Sequence, residues 1–225
     1  MNWEDEGYII SKNKFRENAI ILDVFTSNYG KVSGIVYGGN SRKIRNYLQL
    51  FNKIFTVYSS KGENRIGYFK TEIIEPVAPT YFNDKLRILS LNSLSSILKS
   101  LLPENQSYKR LYKSLEKLLK DFSKPDWLVD YIMWEINFIK NLGYGFDLNP
   151  DNFDKYRDTK TVNVKLDNVD YKIPSFLIFR EIKNYNNQDI YNGLVFSRNL
   201  MENKFFFPNN LRLPYSRKML ELKVL

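Results

Sequence analysis

Apolar and polar side chains alternate along residues 3–51 in the way that half-buried β-strands require. The apolar members of this pattern recur within short segments at Ile9, Ile20, Leu22, Val24, Val32, Ile35 and Tyr37. Gly30, Gly34 and Gly38-Gly39 supply the turns or bulges that a small barrel needs at its corners. Two further alternating segments follow at 53–59 and 66–74. Five short strands of this kind predict an OB-type β-barrel at residues 1–78.

The apolar period changes after Tyr81, where the spacing becomes that of helices. Pro76 and Pro79 end the strand pattern and place a domain boundary at this point. Apolar stripes then predict helices near 83–102, 107–122 and 125–141, with further helical segments beyond residue 174. We therefore predict an α+β protein, in which the barrel domain at 1–78 precedes a mainly α-helical domain at 79–225.

Residues 149–173 interrupt the helical pattern. The run 149–158 is rich in turn-forming residues, and 161–166 alternates in the manner of a strand. Asp167-Asn168 then makes a turn before a second alternating segment at 169–173. The pattern predicts a small β-hairpin inserted into the helical domain.

Positive charge is concentrated in the segment from Ile9 to Lys70, inside the predicted barrel. The whole chain has a formal net charge of +9, and 11 Lys and Arg residues lie in this segment against three acidic residues. Such a concentration in one segment indicates a surface that binds a polyanion. General solubility in a lysine-rich proteome is the alternative explanation.

Several segments together resemble the RecO family of bacterial DNA-repair proteins. The N-terminal matches are DEGYIIS, FTSNYGKVSGIVYGGNSRK and LQLFN, at residues 5–11, 25–43 and 48–52. A further match lies at Trp134-Glu135 followed by LGYGFDL at 142–148, in which Gly143 and Gly145 allow a tight turn after the third helix. The resemblance implies a helical bundle packed on the barrel.

The resemblance also implies a function and partners. Members of this family are recombination mediators that bind single- and double-stranded DNA and anneal complementary strands. With RecR they help to load the RecA recombinase onto strands coated by single-stranded-DNA-binding protein (SSB), whose acidic C-terminal tail binds the helical domain. Many relatives carry a zinc module after the GFGLDL segment. This chain has no Cys and no His, so the zinc site is not carried over and the hairpin would replace it.

The basic run Arg42-Lys43-Ile44-Arg45 is the first candidate for DNA binding, and we predict it on a loop. Cationic side chains there would neutralise phosphates without sequence preference, whereas a solvated turn is the alternative interpretation. Lys31 and Lys53 are weaker candidates on neighbouring segments. Aromatic rings of the barrel could stack on unpaired bases, and Tyr37 and Tyr47, which flank the basic run, are the best placed.

A basic stripe marks the second predicted helix. Lys109, Lys113, Lys117 and Lys120 recur at i, i+4, i+8 and i+11, which places them along one helix face, and Arg110 adds a further charge beside Lys109. A solvated helix face is the simpler interpretation of this stripe. Its functional interpretation is a docking surface for the acidic SSB tail.

The sequence offers no signature of catalysis. It contains no Gly-rich phosphate loop, no G-x-S-x-G nucleophile turn and no carboxylates arranged as in a metal-dependent nuclease. We therefore expect a non-enzymatic protein without cofactor, metal or small-molecule substrate. The acidic N-terminus and the lack of a long apolar run favour a cytoplasmic, nucleoid-associated protein rather than a membrane protein.

Two other functions stay open at this point. The barrel could be a scaffold for an adaptor that binds acidic protein partners through its lysine-rich faces. Alternatively, the chain could be an RNA-binding OB-fold protein. Binding to single-stranded DNA, duplex DNA and structured RNA would distinguish these possibilities from a DNA-repair role.

Overall fold

The N-terminal strands close into a barrel in the computed structural model, which describes residues 1–62, 65–144, 147–180 and 184–225. The five strands follow the order β1-β2-β3-β5-β4, and β4 pairs with β1 to complete the circle. Their bounds are Asn2–Arg16 (β1), Ala19–Thr26 (β2), Gly30–Tyr37 (β3), Lys53–Ser59 (β4) and Gly67–Glu75 (β5). The predicted α+β class with an N-terminal OB-type barrel is confirmed.

Strand β1 has 15 residues and is not one of the short strands expected from the pattern. Its first half pairs with β4 and its second half with β2, so one strand serves two neighbours. A bulge between Ile9 and Ser11 lets the strand bend between these partners. Alternate side chains of β1, β2 and β3 then fill the barrel, where Ile9, Leu22 and Val24 are fully buried.

The pairing between β3 and β5 involves few residues. These strands run parallel and pair only at Gly34↔Gly67 and Ile35↔Tyr68. A Cβ on Gly34 would lie 2.4 Å from the Phe69 ring, and one on Gly67 would lie 2.4 Å from the Tyr58 ring. The two glycines therefore allow the backbones and the aromatic core to approach closely enough for closure.

Seven α-helices lie within the described residues. They are Lys85–Leu101 (α2), Lys109–Asp121 (α3), Trp127–Asn141 (α4), Ser175–Ile178 (α5), Asn187–Met201 (α6) and Tyr215–Val224 (α7), after a first short helix Arg42–Tyr47 (α1). Asp84 caps α2 by accepting from the Arg87 N–H, and Asn186 with Asp189 forms a capping box on α6. Across the described residues, every helix is too short or too polar to traverse a lipid bilayer.

The predicted hairpin is confirmed. Strands Thr161–Leu166 (β6) and Val169–Pro174 (β7) pair antiparallel from Thr161↔Pro174 to Leu166↔Val169. Asp167 and Asn168 form the connecting turn with φ of 47° and 63°, as a two-residue turn with left-handed residues requires. The Asp167 carboxylate also forms an ion pair with Lys204.

Two compact units make up the chain. The first comprises Met1–Lys113 and Pro214–Arg217, and the second comprises Ser114–Leu213 and Lys218–Leu225. Within the first unit, the Ser216 hydroxyl donates to the Asn92 carbonyl at 3.3 Å, and Arg217 is fully buried. The predicted boundary at residue 78 follows the end of the barrel and stays a prediction.

Gly143 has the expected left-handed φ of 92°, whereas Gly145 of the same motif lies outside the described residues.

Candidate nucleic-acid interface

The basic run forms helix α1, so the prediction of a loop was wrong. Ser41 has an extended backbone, and its side chain accepts a hydrogen bond from the Ile44 N–H at 3.5 Å. A serine cap followed by arginine and lysine, which tolerate helical geometry well, favours a helix at this point. Because the helix has only six residues, its period was too short to appear in the apolar pattern.

Helix α1 presents its cations away from the barrel. Ile44 and Tyr47, three residues apart, pack against the barrel core and orient the helix. Arg42, Lys43 and Arg45 are exposed as a consequence. Within the described ranges, no carboxylate forms an ion pair with any of these three side chains. Their charge is therefore available to an external anion.

Lys12 extends this positive surface onto β1. Its ammonium group donates to the Leu48 carbonyl at 2.7 Å, at the end of α1. Burial, and after it the positive charge of Arg45, lowers the pKa of Lys12 below its ordinary value. Lys12 therefore lies near the positive charge of α1. Sequence reasoning missed Lys12 because its position in a strand pattern does not reveal the helix end that it contacts.

The hairpin that carries Lys12 is also tied to the loop before α1. The Asn40 side-chain amide donates to the Glu17 carbonyl at 2.7 Å in the β1–β2 turn. Lys14 is exposed and lies two residues beyond Lys12, so it occupies the same side of β1. Helix α1 and the end of β1 thus form one cationic region, which we call the basic edge: Lys12, Lys14, Arg42, Lys43 and Arg45.

An aromatic pair borders a groove beside the basic edge. Tyr37 is 58% exposed and stacks on Tyr68 of β5, with ring centroids 5.4 Å apart and an interplanar angle of 20°. The adjoining groove has a volume of about 610 Å³ and is lined by Ile44 of α1 and by Lys70. Tyr68 was missed in the sequence because its partner is reached only through the β3–β5 closure. Exposed rings beside cations are the chemical requirement for binding unpaired bases.

The other three predicted DNA-binding side chains have partners inside the protein. Tyr47 donates its hydroxyl to the Thr71 carbonyl at 2.7 Å. The Lys31 ammonium group donates to the Lys99 carbonyl at 3.0 Å and is buried. Lys53 is also buried and forms a 2.8 Å ion pair with Glu6. These three side chains thus have partners within the protein, and their assignment to DNA binding stays a prediction.

The basic stripe of α3 is accessible to solvent. Lys109, Arg110, Lys113 and Lys117 are all exposed. Leu111, Leu115 and Leu118 on the same helix are buried, which gives α3 a strongly amphipathic character. This arrangement fits both a solvated face and a surface for an acidic peptide.

Metal-ligating side chains are not clustered in the part of the chain that the structure describes. There, no group of three or more His, Cys, Asp or Glu side chains is arranged to hold an ion. The run 149–158, where the sequence indicated turns, contains a 3₁₀ helix at Pro150–Tyr156, and Asp154 within it pairs with Arg157 at 3.3 Å. The hairpin that follows is held by strand pairing and by buried side chains, among them Val162 and Ile173.

Comparison with known protein families identifies matches to both parts of the chain. The family described as recombination protein O, N terminal, matches residues 1–77. The family described as recombination protein O, C terminal, matches residues 83–153. The first match covers all five barrel strands together with α1 and the basic edge.

Individual relatives bear the same description. The DNA repair protein RecO of Roseobacter denitrificans is 32% identical over 149 residues, covering 66% of this chain and 62% of that protein. The chain therefore matches under two thirds of that relative's length. The DNA repair protein RecO of Wolbachia pipientis subsp. Culex pipiens is 28% identical over 237 residues, covering 99% and 97%. An asparaginyl-tRNA synthetase structure from Entamoeba histolytica has a TM-score of 0.31 at 9% identity, which is too low to indicate a shared fold.

Proposed function

Because the chain belongs to the RecO family, we propose that it is a DNA-binding recombination mediator that acts through the basic edge and the groove beside it. The observation that carries this proposal is the exposure of Arg42, Lys43 and Arg45 on a helix beside the Tyr37–Tyr68 ring pair. The curated relatives are named DNA repair proteins. Cations without an internal partner bind phosphates, and exposed rings bind the faces of unpaired bases.

The proposed activity includes annealing of complementary strands. Two DNA strands repel each other through their phosphates, and a cationic surface lowers this repulsion. Stacking on Tyr37 and Tyr68 would be transient and independent of sequence, so the hydrogen-bonding edges of the bases would stay available for pairing. This activity requires no covalent step, and we propose a non-enzymatic role without cofactor.

We propose that this mediator works with SSB, RecR and RecA. Helix α3 is the proposed contact for SSB, because its exposed Lys109, Arg110, Lys113 and Lys117 complement the charge of an acidic tail. RecR would act with the chain in loading RecA onto SSB-coated single strands. A location in the cytoplasm, in association with the nucleoid, follows from chromosomal DNA as the proposed substrate.

The first test is a comparison of nucleic-acid ligands. Fluorescence anisotropy with single-stranded DNA, duplex DNA and structured RNA of equal length should be repeated across a range of salt concentrations. We expect binding to both DNA forms, with an affinity that falls steeply as salt rises because counterions are released. Preference for the folded RNA would favour an RNA-binding role, and no binding to any of the three would favour an adaptor for acidic proteins.

The second test measures annealing directly. Complementary oligonucleotides, each coated with SSB, should pair faster in the presence of the protein than in its absence. An unchanged rate would contradict the mediator role even if DNA binding were observed. The same assay with SSB that lacks its acidic tail tests the proposed partner, because loss of the tail should remove most of the acceleration.

A further inference from the structure

A second pocket lies on the other side of the β3–β5 closure from the Tyr37–Tyr68 groove. The two strands pair at only two positions, so they diverge on both sides of that contact. The second pocket has a volume of about 550 Å³ and is lined by Trp3, Tyr29, Ser33, Arg65 and Asn105. Tyr58 lines both the pocket and the groove, which makes them neighbours across one short junction.

Stacked aromatic rings form one wall of this pocket. Trp3 lies between Tyr29, at a centroid distance of 4.2 Å, and Tyr58, at 4.8 Å. The interplanar angles of 14° and 21° make both contacts parallel stacks. Trp3 and Tyr58 are buried, whereas Tyr29 is half-buried at the end of the stack. A further flat ring would therefore extend this stack at Tyr29.

Another part of the lining is the segment before α3, which is hydrogen-bonded to β3. The Asn105 N–H donates to the Lys31 carbonyl at 2.9 Å. Gly30 allows this approach, since a Cβ there would lie 1.8 Å from the Gln106 carbonyl oxygen. Asn105 itself has a left-handed φ of 56° and an exposed side chain, a conformation that costs energy and is enriched at functional sites. Its amide can both donate and accept hydrogen bonds.

Charge at the pocket suits a nucleotide. Arg65 is exposed at its rim, on the connection between β4 and β5, which in OB folds is one of the loops that bind oligonucleotides. Among the lining residues that the structure describes, Glu104 is the single carboxylate, and Lys31 lies 3.9 Å from it and offsets its charge. An aromatic wall, an amide and a peripheral guanidinium are the groups that would contact a base and its phosphate.

We propose that this pocket binds an unpaired nucleobase of the same DNA strand whose phosphates contact the basic edge. Tyr29 is the stacking platform, Asn105 is the hydrogen-bonding partner of the base, and Arg65 contacts the adjacent phosphate. The strand crosses the β3–β5 junction between the groove and the pocket. The inference rests on the proposed DNA-binding function and adds a preference for single strands over duplexes. A paired base would have to leave its stack before it could enter the pocket.

The test compares single strands with duplexes for matched variants. The probes are an oligothymidylate longer than the roughly 16 nucleotides that an OB fold can cover, and a duplex of equal length. We expect Arg65→Ala combined with Asn105→Ala to weaken single-strand binding about tenfold, and Tyr29→Leu to weaken it at least as much, since stacking contributes substantially per base. Duplex affinity should change less than twofold. Lys61→Ala, which removes an exposed charge from the same loop outside the pocket, is the control.

Intrinsic fluorescence gives a second measurement, which does not rely on affinities. Trp3 is one of three tryptophans, and its contact with Tyr29 places it one ring away from the proposed base. Oligothymidylate should quench the protein's fluorescence, the duplex should not, and Tyr29→Leu should abolish the difference.

Three results would overturn the inference. If the pocket variants bound single strands as tightly as the wild type does, DNA would bind through the basic edge alone. The proposed function would then survive without the pocket. Equal losses for single strands and duplexes, or equal losses in Lys61→Ala, would identify a general electrostatic effect. A wild-type protein that binds neither form of DNA would overturn both the inference and the proposed function.

Discussion

Gly34 of β3 lies directly opposite Gly67 of β5, and this pair closes the barrel. The Phe69 ring packs against Gly34, and the Tyr58 ring packs against Gly67. The Gly67 N–H also donates to the Tyr58 hydroxyl at 3.2 Å. Closure therefore depends on two positions where side chains are absent. On either side of them lie the groove and the pocket that are proposed to bind DNA.

We expect Gly34→Ala and Gly67→Ala each to destabilise the protein by about 1–3 kcal/mol, the usual cost of overpacking a well-filled core. The added Cβ would lie 2.4 Å from an aromatic carbon in both cases, so the ring or the backbone must shift. Urea unfolding monitored by circular dichroism measures the change. Gly62→Ala is the control, because its Cβ would meet no atom within 4 Å. Equal stability in all three variants would contradict this account of closure.

Removing the charges of α1 tests the basic edge. Arg42, Lys43 and Arg45 replaced together by Ala should weaken binding to DNA of any sequence. The slope of log affinity against log salt should flatten by about 0.9 for each duplex phosphate contact that is lost. The fold should persist, because all three side chains are exposed. The measurement is a salt titration of DNA affinity followed by anisotropy.

A variant with the same loss of charge provides the comparison for α1. Lys109, Lys113 and Lys117 replaced by Ala should leave the DNA salt slope nearly unchanged, since we propose this stripe for an acidic peptide. Identical slopes in the wild type and the α1 variant would show that α1 does not contact phosphates. Identical losses in both triple variants would attribute binding to net charge alone.

Lys31→Met and Lys53→Met should reduce stability without changing the DNA salt slope. Each ammonium group is buried and has a partner, Lys99 or Glu6, which is left unpaired by the substitution. We expect a loss of about 1–2 kcal/mol in the free energy of unfolding for each variant, typical of a broken hydrogen bond with a charged group. Chemical denaturation and the salt titration together separate the two effects. A flattened slope with unchanged stability would instead identify these lysines as DNA contacts, as the sequence suggested.

Tyr185 should ionise at unusually high pH. Burial raises the pKa of its hydroxyl to about 12, and the hydrogen bond to Asp126 at 2.6 Å adds to the effect. Because the folded pKa lies above the ordinary value of about 10, the contact stabilises the protein fully below pH 10 and is lost as pH rises through 12. The difference in tyrosinate absorbance between wild type and Tyr185→Phe should show this late titration. A midpoint near 10 would contradict it.

Chelation should leave the melting temperature unchanged. Zinc sites in proteins use Cys and His ligands, and this chain has neither. We expect the same thermal unfolding curve with and without EDTA, and no stoichiometric zinc by elemental analysis. Bound zinc, or a large drop in melting temperature with EDTA, would show that the hairpin does not replace a metal module.

The elements that could be predicted from the sequence are those whose formation depends on residues close together in the chain. The β6–β7 hairpin was expected at the observed positions because its side chains alternate and because Asp167-Asn168 suits a left-handed turn. The two-residue contact of β3 with β5 could not be predicted in the same way. It depends on Gly34 and Gly67 meeting, although they belong to different parts of the chain.

The candidate site was predicted only in part, for a related reason. Arg42, Lys43, Arg45 and Tyr37 were expected at the surface, and they are exposed. Lys31 and Lys53 were also expected to bind DNA, but both are buried. Their burial could not be predicted because their partners, Lys99 and Glu6, lie far away in the sequence. Lysine has a long apolar stem and can reach such partners from a strand. Charge alone does not distinguish these two situations.

Residues 214–217 belong to the same compact unit as the barrel, although about a hundred residues of the other unit precede them. Ser216 reaches α2, and Arg217 contributes a fully buried side chain. Domains generally fold as units while the ribosome adds residues from the N-terminus. The barrel strands can pair early during synthesis, but their unit stays incomplete until residue 217 has been made. A nascent chain stalled before that point would present an unfinished barrel unit to proteases and chaperones.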